Sequence, residues 1–167
     1  MTLPAPQSDP RQRSKEEASL RKHQARVLAL QVLYEIDLAH HPVGDVLERT
    51  LDEQEATPAI SRHVGRLVDG VLNNRDAIDA HIAIAAPAFP VDQLPLVDRN
   101  VLRIATYELM FEPDVPPKAA INEAVEISKR FGGPNSSKFV NGALRTILER
   151  VRDERPESKE TPGSVDG

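Results

Sequence analysis

Apolar residues return every three or four positions along most of this chain, the period of a helix packed on one side. Over residues 19–39, Ala25, Leu28, Ala29, Val32 and Ile36 form one stripe, with Leu30, Leu33 and Tyr34 beside it. His40-His41-Pro42 closes that element. A second helix is predicted from Val43, Val46, Leu47 and Leu51. After Thr57-Pro58, the apolar positions Ile60, Val64, Leu67, Val68, Val71, Ile78 and Ile82 read as one long third helix, nearly 40 Å in length at ~1.5 Å per residue.

Pro87, Pro90 and Pro95 then break the chain, leaving room for a short turn at residues 91–94. The helix expected at 96–111 is apolar nearly all round, through Val97, Val101, Leu102, Ile104, Ala105 and Leu109, which suits the centre of a bundle. Pro116-Pro117 opens the next, carrying Ile121, Ala124, Val125 and Ser128. Gly132 or Gly133 is expected to close it in the left-handed conformation, Pro134 to prevent its continuation, and Asn135 or Ser136 to cap the last helix. That helix uses Val140, Ala143, Leu144, Ile147 and Val151. No segment alternates with period two between turns, so the fold is predicted all-α, three helices before the proline break packed on three after it.

Both ends lack the stripe. Residues 1–18 read as a disordered basic tail and residues 153–167 as a disordered acidic one, leaving a single helical domain at 19–152. The absence of cysteine removes disulfides, thiolate metal sites and a cysteine nucleophile. No apolar run suits a signal peptide or a membrane span, so a cytoplasmic protein is expected. The net charge of −5 argues against indiscriminate nucleic-acid binding, but the charge is uneven. Basic residues outnumber acidic ones from Arg11 to Arg26, whereas Asp45, Glu48, Asp52, Glu53 and Glu55 are acidic.

Three groups of side chains invite a functional reading. Lys22 and Arg26, with Arg21 and His23, open the first helix and suit phosphates, or simply a solvated helix end. Arg99, Arg103 and Tyr107 are spaced four apart on the central helix, so the two guanidiniums are either phosphate donors or partners of internal carboxylates. The turn with Asn135, Ser136 and Lys138 presents the free amides of a helix start, where phosphate is attracted, and is otherwise an ordinary connection. Tyr34 and Phe139 can stack on unpaired bases or belong to the core. Lys118 adds a cation; Asp98 and Glu108 can face a protein partner or neutralise nearby arginines.

Catalytic signatures are missing. No phosphate loop, dinucleotide fingerprint or HExxH motif occurs, and neither His63 with His81 nor His40 with His41 has metal-ligand spacing. No cofactor and no enzymatic activity are expected.

The segments LPLVDRNVLRIATYEL (94–109), VPPKAAINEAVEISKRFG (115–132) and SSKFVNGAL (136–144), in that order, resemble the transcription antitermination factor NusB family. The likeness reaches back through Gln24-Ala25-Arg26 and Gln31-Val32-Leu33-Tyr34. It implies the same two-half helical fold and an RNA-binding role at the basic helix start, carried to Lys22 and Arg26, although His23 and Gln24 stand where arginine is expected. It further implies binding of the boxA element of ribosomal RNA leader transcripts together with NusE, a small-subunit ribosomal protein, within an RNA polymerase antitermination complex. Two alternatives stay open here: the RNA-binding module of a ribosomal RNA cytosine methyltransferase, and a structural homodimer pairing the basic helix start with the acidic 45–55 segment.

Overall fold

The structure is a computed structural model describing residues 2–7 and 9–154. The described residues form seven α-helices: α1 Pro10–Ala39, α2 Val43–Glu53, α3 Pro58–Asn73, α4 Arg75–Ala85, α5 Leu96–Phe111, α6 Pro117–Phe131 and α7 Ser136–Glu154. A 3-10 turn, Val91–Gln93, sits in the proline-rich connection. No strand occurs among the described residues.

Helix α5 is the shared centre, as its all-round apolar character requires. It packs against α1, α3, α4, α6 and α7, while α1 gathers α2 and α3 on one side and α6 and α7 pair on the other. The core joins both halves: Leu67, Ile78, Ile82, Leu102, Leu144 and Ile147 are all fully buried. Each side chain of this size contributes roughly 1.5–3 kcal/mol on leaving water. At Gly70 the α3 backbone touches the α5 side chain of Tyr107, and a Cβ there would lie 2.2 Å from the ring.

The elements differ from the sequence pattern in three places. First, α1 begins at Pro10, not at residue 19. The Asp9 side chain accepts the Arg11 N–H at 3.0 Å and Pro10 occupies the first turn, a start signal lying ahead of any apolar stripe. Residues 10–18, expected as disordered tail, are therefore helical. Second, the long third helix is two helices, broken at Asn74 (φ −120°, ψ 19°), whose side-chain amide donates to the Gly70 carbonyl at 2.8 Å. The chain turns there so that α4 reaches α5 and α7. Third, neither Gly132 nor Gly133 is left-handed; Gly132 is extended. Its glycine is needed for space, because a Cβ would sit 2.5 Å from Ser136 Oγ and 2.7 Å from the Ser128 carbonyl oxygen. The left-handed cap falls instead at His40 (φ 56°), closing α1 where His40-His41-Pro42 suggested.

At the other end, α7 runs to Glu154, and the rest of the expected acidic tail, 155–167, lies outside the described residues.

Candidate functional site

Helices α1 and α6 run in the same direction on either side of α5. His23 and Arg26 of α1 meet Glu123 of α6 at one end, and Tyr34 faces Phe131 at the other. Between them lies a groove of about 470 Å³, lined by Val27, Leu30, Tyr34, Leu38, Val97 and Phe131 among others. Its apolar character is unusual for an exterior surface: Leu38, Tyr34 and Phe131 are 61%, 38% and 37% exposed. It continues toward Gly132 and Gly133, past Asp98. Asp98 is buried, and its Oδ1 has no hydrogen-bond donor among the described residues. Arg130 lies over the Phe131 ring, 4.8 Å from its centroid.

Beyond Leu30, which lines the groove on one side and faces Arg26 and Glu108 on the other, lies a buried ion pair. Arg26, only 4% exposed, donates from Nε and Nη2 to the two carboxylate oxygens of Glu108, at 2.9 and 2.8 Å. Its Nη1 lies 3.4 Å from Glu123, whose Oε2 is also 2.9 Å from His23 Nδ1. Burial opposes the Arg26 charge, but the bidentate bond to Glu108 and the charges of Glu108 and Glu123 outweigh it and raise the guanidinium above its ordinary value. A second network crosses the far side of α5. Arg103 holds both oxygens of Asp79 at 2.9 Å and Asp37 at 3.1 Å; Arg99 lies 3.5 Å from Asp37, and Asn100 donates to Asp37 at 3.1 Å.

These networks correct several expectations. Arg26 and Arg103 do not face phosphate; each is in the interior, held by carboxylates brought from distant helices. Arg99 is mostly covered and paired likewise, the alternative left open by its spacing. Glu108, 2% exposed, serves Arg26 and offers nothing to a protein partner. Ser136 is buried, its Oγ accepting the Gly133 N–H at 2.9 Å, so it shapes the turn rather than the surface. Phe139 is half-buried against the core.

Other candidates do face outward. Lys22, Lys118, Asn135 and Lys138 are exposed, and no carboxylate pairs with the three lysines among the described residues. Lys22 and Lys118 lie toward the His23–Glu123 end of the groove, whereas Asn135 and Lys138 follow the turn at its Phe131 end. Tyr34 and Asp98 share the groove itself.

The sequence pattern did not single out Phe131 or Leu38 and placed Val97 among the apolar positions of the central helix. A signal existed for Phe131: a large apolar residue at the end of α6, immediately before a Gly-Gly turn, has little core left to enter.

His63 of α3 is another addition. It lines a cleft of about 180 Å³ with Ala18, Arg21, Lys22, Ala59 and Ile60. Burial and then the charges of Arg66, Arg26 and Lys22 lower its pKa to about 4, so the imidazole is neutral near neutral pH.

Taken together, the chain is an all-helical protein whose exterior carries lysines at both ends of an apolar groove, with the buried Asp98 at its wall. A model described as the NusB family matches residues 23–149, and the chain belongs to that family. It is 43% identical over 139 residues to the transcription antitermination protein NusB of Dehalococcoides mccartyi, covering 83% of this chain and 97% of that protein. The fold matches T. maritima NusB with a TM-score of 0.72 at 36% identity, covering 77% of this chain and 90% of that one. A structure of the antitermination factors NusB and NusE in complex with dsRNA contains a chain matching with a TM-score of 0.72 at 27% identity, covering 78% and 97% of the two chains.

Proposed function

We propose that this protein is a non-enzymatic transcription antitermination factor that binds the boxA element of ribosomal RNA leader transcripts together with NusE. It works in the cytoplasm, where the RNA polymerase antitermination complex assembles on nascent RNA. No helix among the described residues is long and apolar enough to cross a membrane.

The observation that carries the reading is the separation of two surfaces. Lys22, Lys118 and Lys138 are exposed and unpaired, free to neutralise RNA phosphates, while Asn135 donates an amide without repelling them. Half-buried Phe139 stands beside Lys138 and contributes at most a ring edge to a base.

The groove of Tyr34, Val97 and Phe131 suits protein better than RNA. Its Asp98 carboxylate repels phosphate, and a buried acceptor without a donor favours a partner that brings one. Tyr34, read from sequence as a base-stacking residue, is therefore assigned with Asp98 to the contact with NusE. Arg26, Arg99, Arg103, Glu108 and Ser136 become positioning residues: they hold α1, α5 and the α6–α7 turn so that the outer groups are presented together.

The test is a filter-binding titration of the full chain with boxA RNA and a scrambled RNA of equal length, each with and without NusE. Preference for boxA, strengthened by NusE, is expected; equal affinity for the scrambled RNA with NusE present would refute the assignment.

A further inference from the structure

The first three turns of α1 lie ahead of residue 23, where the match to the family model begins. They are exposed apart from Ala18, yet their charges are sorted. At 3.6 residues per turn, Arg11, Lys15, Ala18, Lys22, Ala25 and Ala29 fall within an arc of about 80°. Ala25 and Ala29 are fully buried, and α1 packs on α3. The stripe that enters the core therefore continues outward as a row of cations.

Glu16 and Glu17, the acidic residues of this segment, fall on the opposite side with Arg13 and Leu20. Arg11, Lys15 and Lys22 have no carboxylate partner among the described residues. From Arg11 to Lys22 the row spans roughly 16 Å, 11 residues at 1.5 Å each. Where it meets the body, Lys22 and Ala18 border the cleft over the start of α3, with Arg21 and neutral His63.

We propose that this extension of α1 is a cationic rail that carries the sugar–phosphate backbone of RNA flanking the recognised element beyond the helical body. The proposal rests on the RNA-binding reading above and adds a second, sequence-independent segment to it. RNA is the occupant because the row bears cations without donors or acceptors arranged to read bases, and because it is continuous with Lys22 of the proposed RNA surface. An acidic protein would satisfy the charge equally but would not follow a strand outward from that surface.

The test uses the full chain with NusE and a synthetic boxA RNA, alone and carrying oligouridine at both ends. Affinities are measured from 50 to 200 mM salt for wild type, R11A/K15A and R13A; alanine preserves the helix. Single-strand contacts each contribute about 0.7 to the slope of log affinity against log salt, so R11A/K15A on the extended RNA is expected to be shallower by about 1.4. The advantage of wild type over that variant then shrinks about sevenfold across this fourfold range of salt. On the unextended RNA the two should have the same slope, and R13A should match wild type on both.

An unchanged R11A/K15A slope on the extended RNA, or an equal change from R13A, would overturn the rail while leaving boxA recognition intact. Conversely, loss of boxA preference over scrambled RNA would remove the functional reading, and the slopes on extended RNA would still decide the rail. No binding to any RNA would end both.

Discussion

Lys22 and Arg26 sit one helical turn apart on α1 and carry the same charge, yet one faces solvent unpaired and the other is sealed beneath α5 and α6. The difference is made by Glu108, 82 positions further along the chain. A cation in a basic stretch is available to RNA only where no carboxylate folds back onto it. In this protein the buried arginines act as fasteners between helices, while Lys22, Lys118 and Lys138 stay outside with no carboxylate partner among the described residues. On α5 only the fastening kind occurs: Arg103 binds Asp79 and Asp37, and Arg99 lies beside Asp37.

The largest effect should come from breaking the buried side of this contrast. Glu108→Ala strips buried Arg26 of its bidentate partner and leaves it only Glu123, 3.4 Å from Nη1, and loss is expected at about 3–5 kcal/mol. In thermal unfolding this is a fall of roughly 6–20 °C for a domain of this size. Pairing it with Arg26→Met should recover most of the loss, since apolar groups of similar volume replace buried ion pairs well. A Glu108→Ala variant as stable as wild type would mean the pair holds nothing together.

Next comes the uncompensated carboxylate of the groove. Asp98→Ala should weaken association with NusE at least thirtyfold, if a partner donor loses its acceptor at about 2 kcal/mol or more. RNA affinity measured without NusE should not change. Calorimetry with NusE and a separate RNA titration check the two halves; equal NusE affinity in the variant would return Asp98 to a purely structural place.

On the exposed side, Lys22→Ala should alter stability by less than about 0.5 kcal/mol, as surface substitutions do. Its RNA salt slope should nonetheless be shallower by about 0.7.

A separate effect concerns pH. Unfolding returns His63 from about 4 to the ordinary imidazole value of 6.5, so the unfolded chain binds more protons between those values. Stability is then lost as pH falls from 6.5 toward 4, and His63→Leu should flatten that part of the profile in urea titrations. An unaltered profile would show that the burial of His63 does not couple to folding.

Much of this was readable in the residues, for reasons that also mark where reading stopped. The stripes of α2, α5, α6 and α7 follow a helical period, and the prolines fix their starts. The break at Asn74 is silent because the apolar period runs through it: Val71 and Ile78 fit one helix as well as two. The start of α1 at Pro10 was signalled only by Asp9-Pro10, with no apolar stripe to support it.

At the site, residue type revealed which side chains carry charge but not which are spent. Arg103 and Asp37 are 66 positions apart, so their pairing is a product of the fold. Gly132 was correctly marked as a turn glycine for the wrong cause, since crowding against Ser136 and Ser128, not a left-handed backbone, is what excludes a side chain.

The division between fastening arginines and ligand-binding lysines is tested most directly by one paired titration. Wild type and Lys22→Ala are each bound to boxA RNA with NusE present, from 50 to 200 mM salt, with unfolding followed on the same samples. A shallower slope at unchanged stability is the expected result. Identical slopes, or a loss of RNA binding that merely tracks a loss of fold, would contradict it.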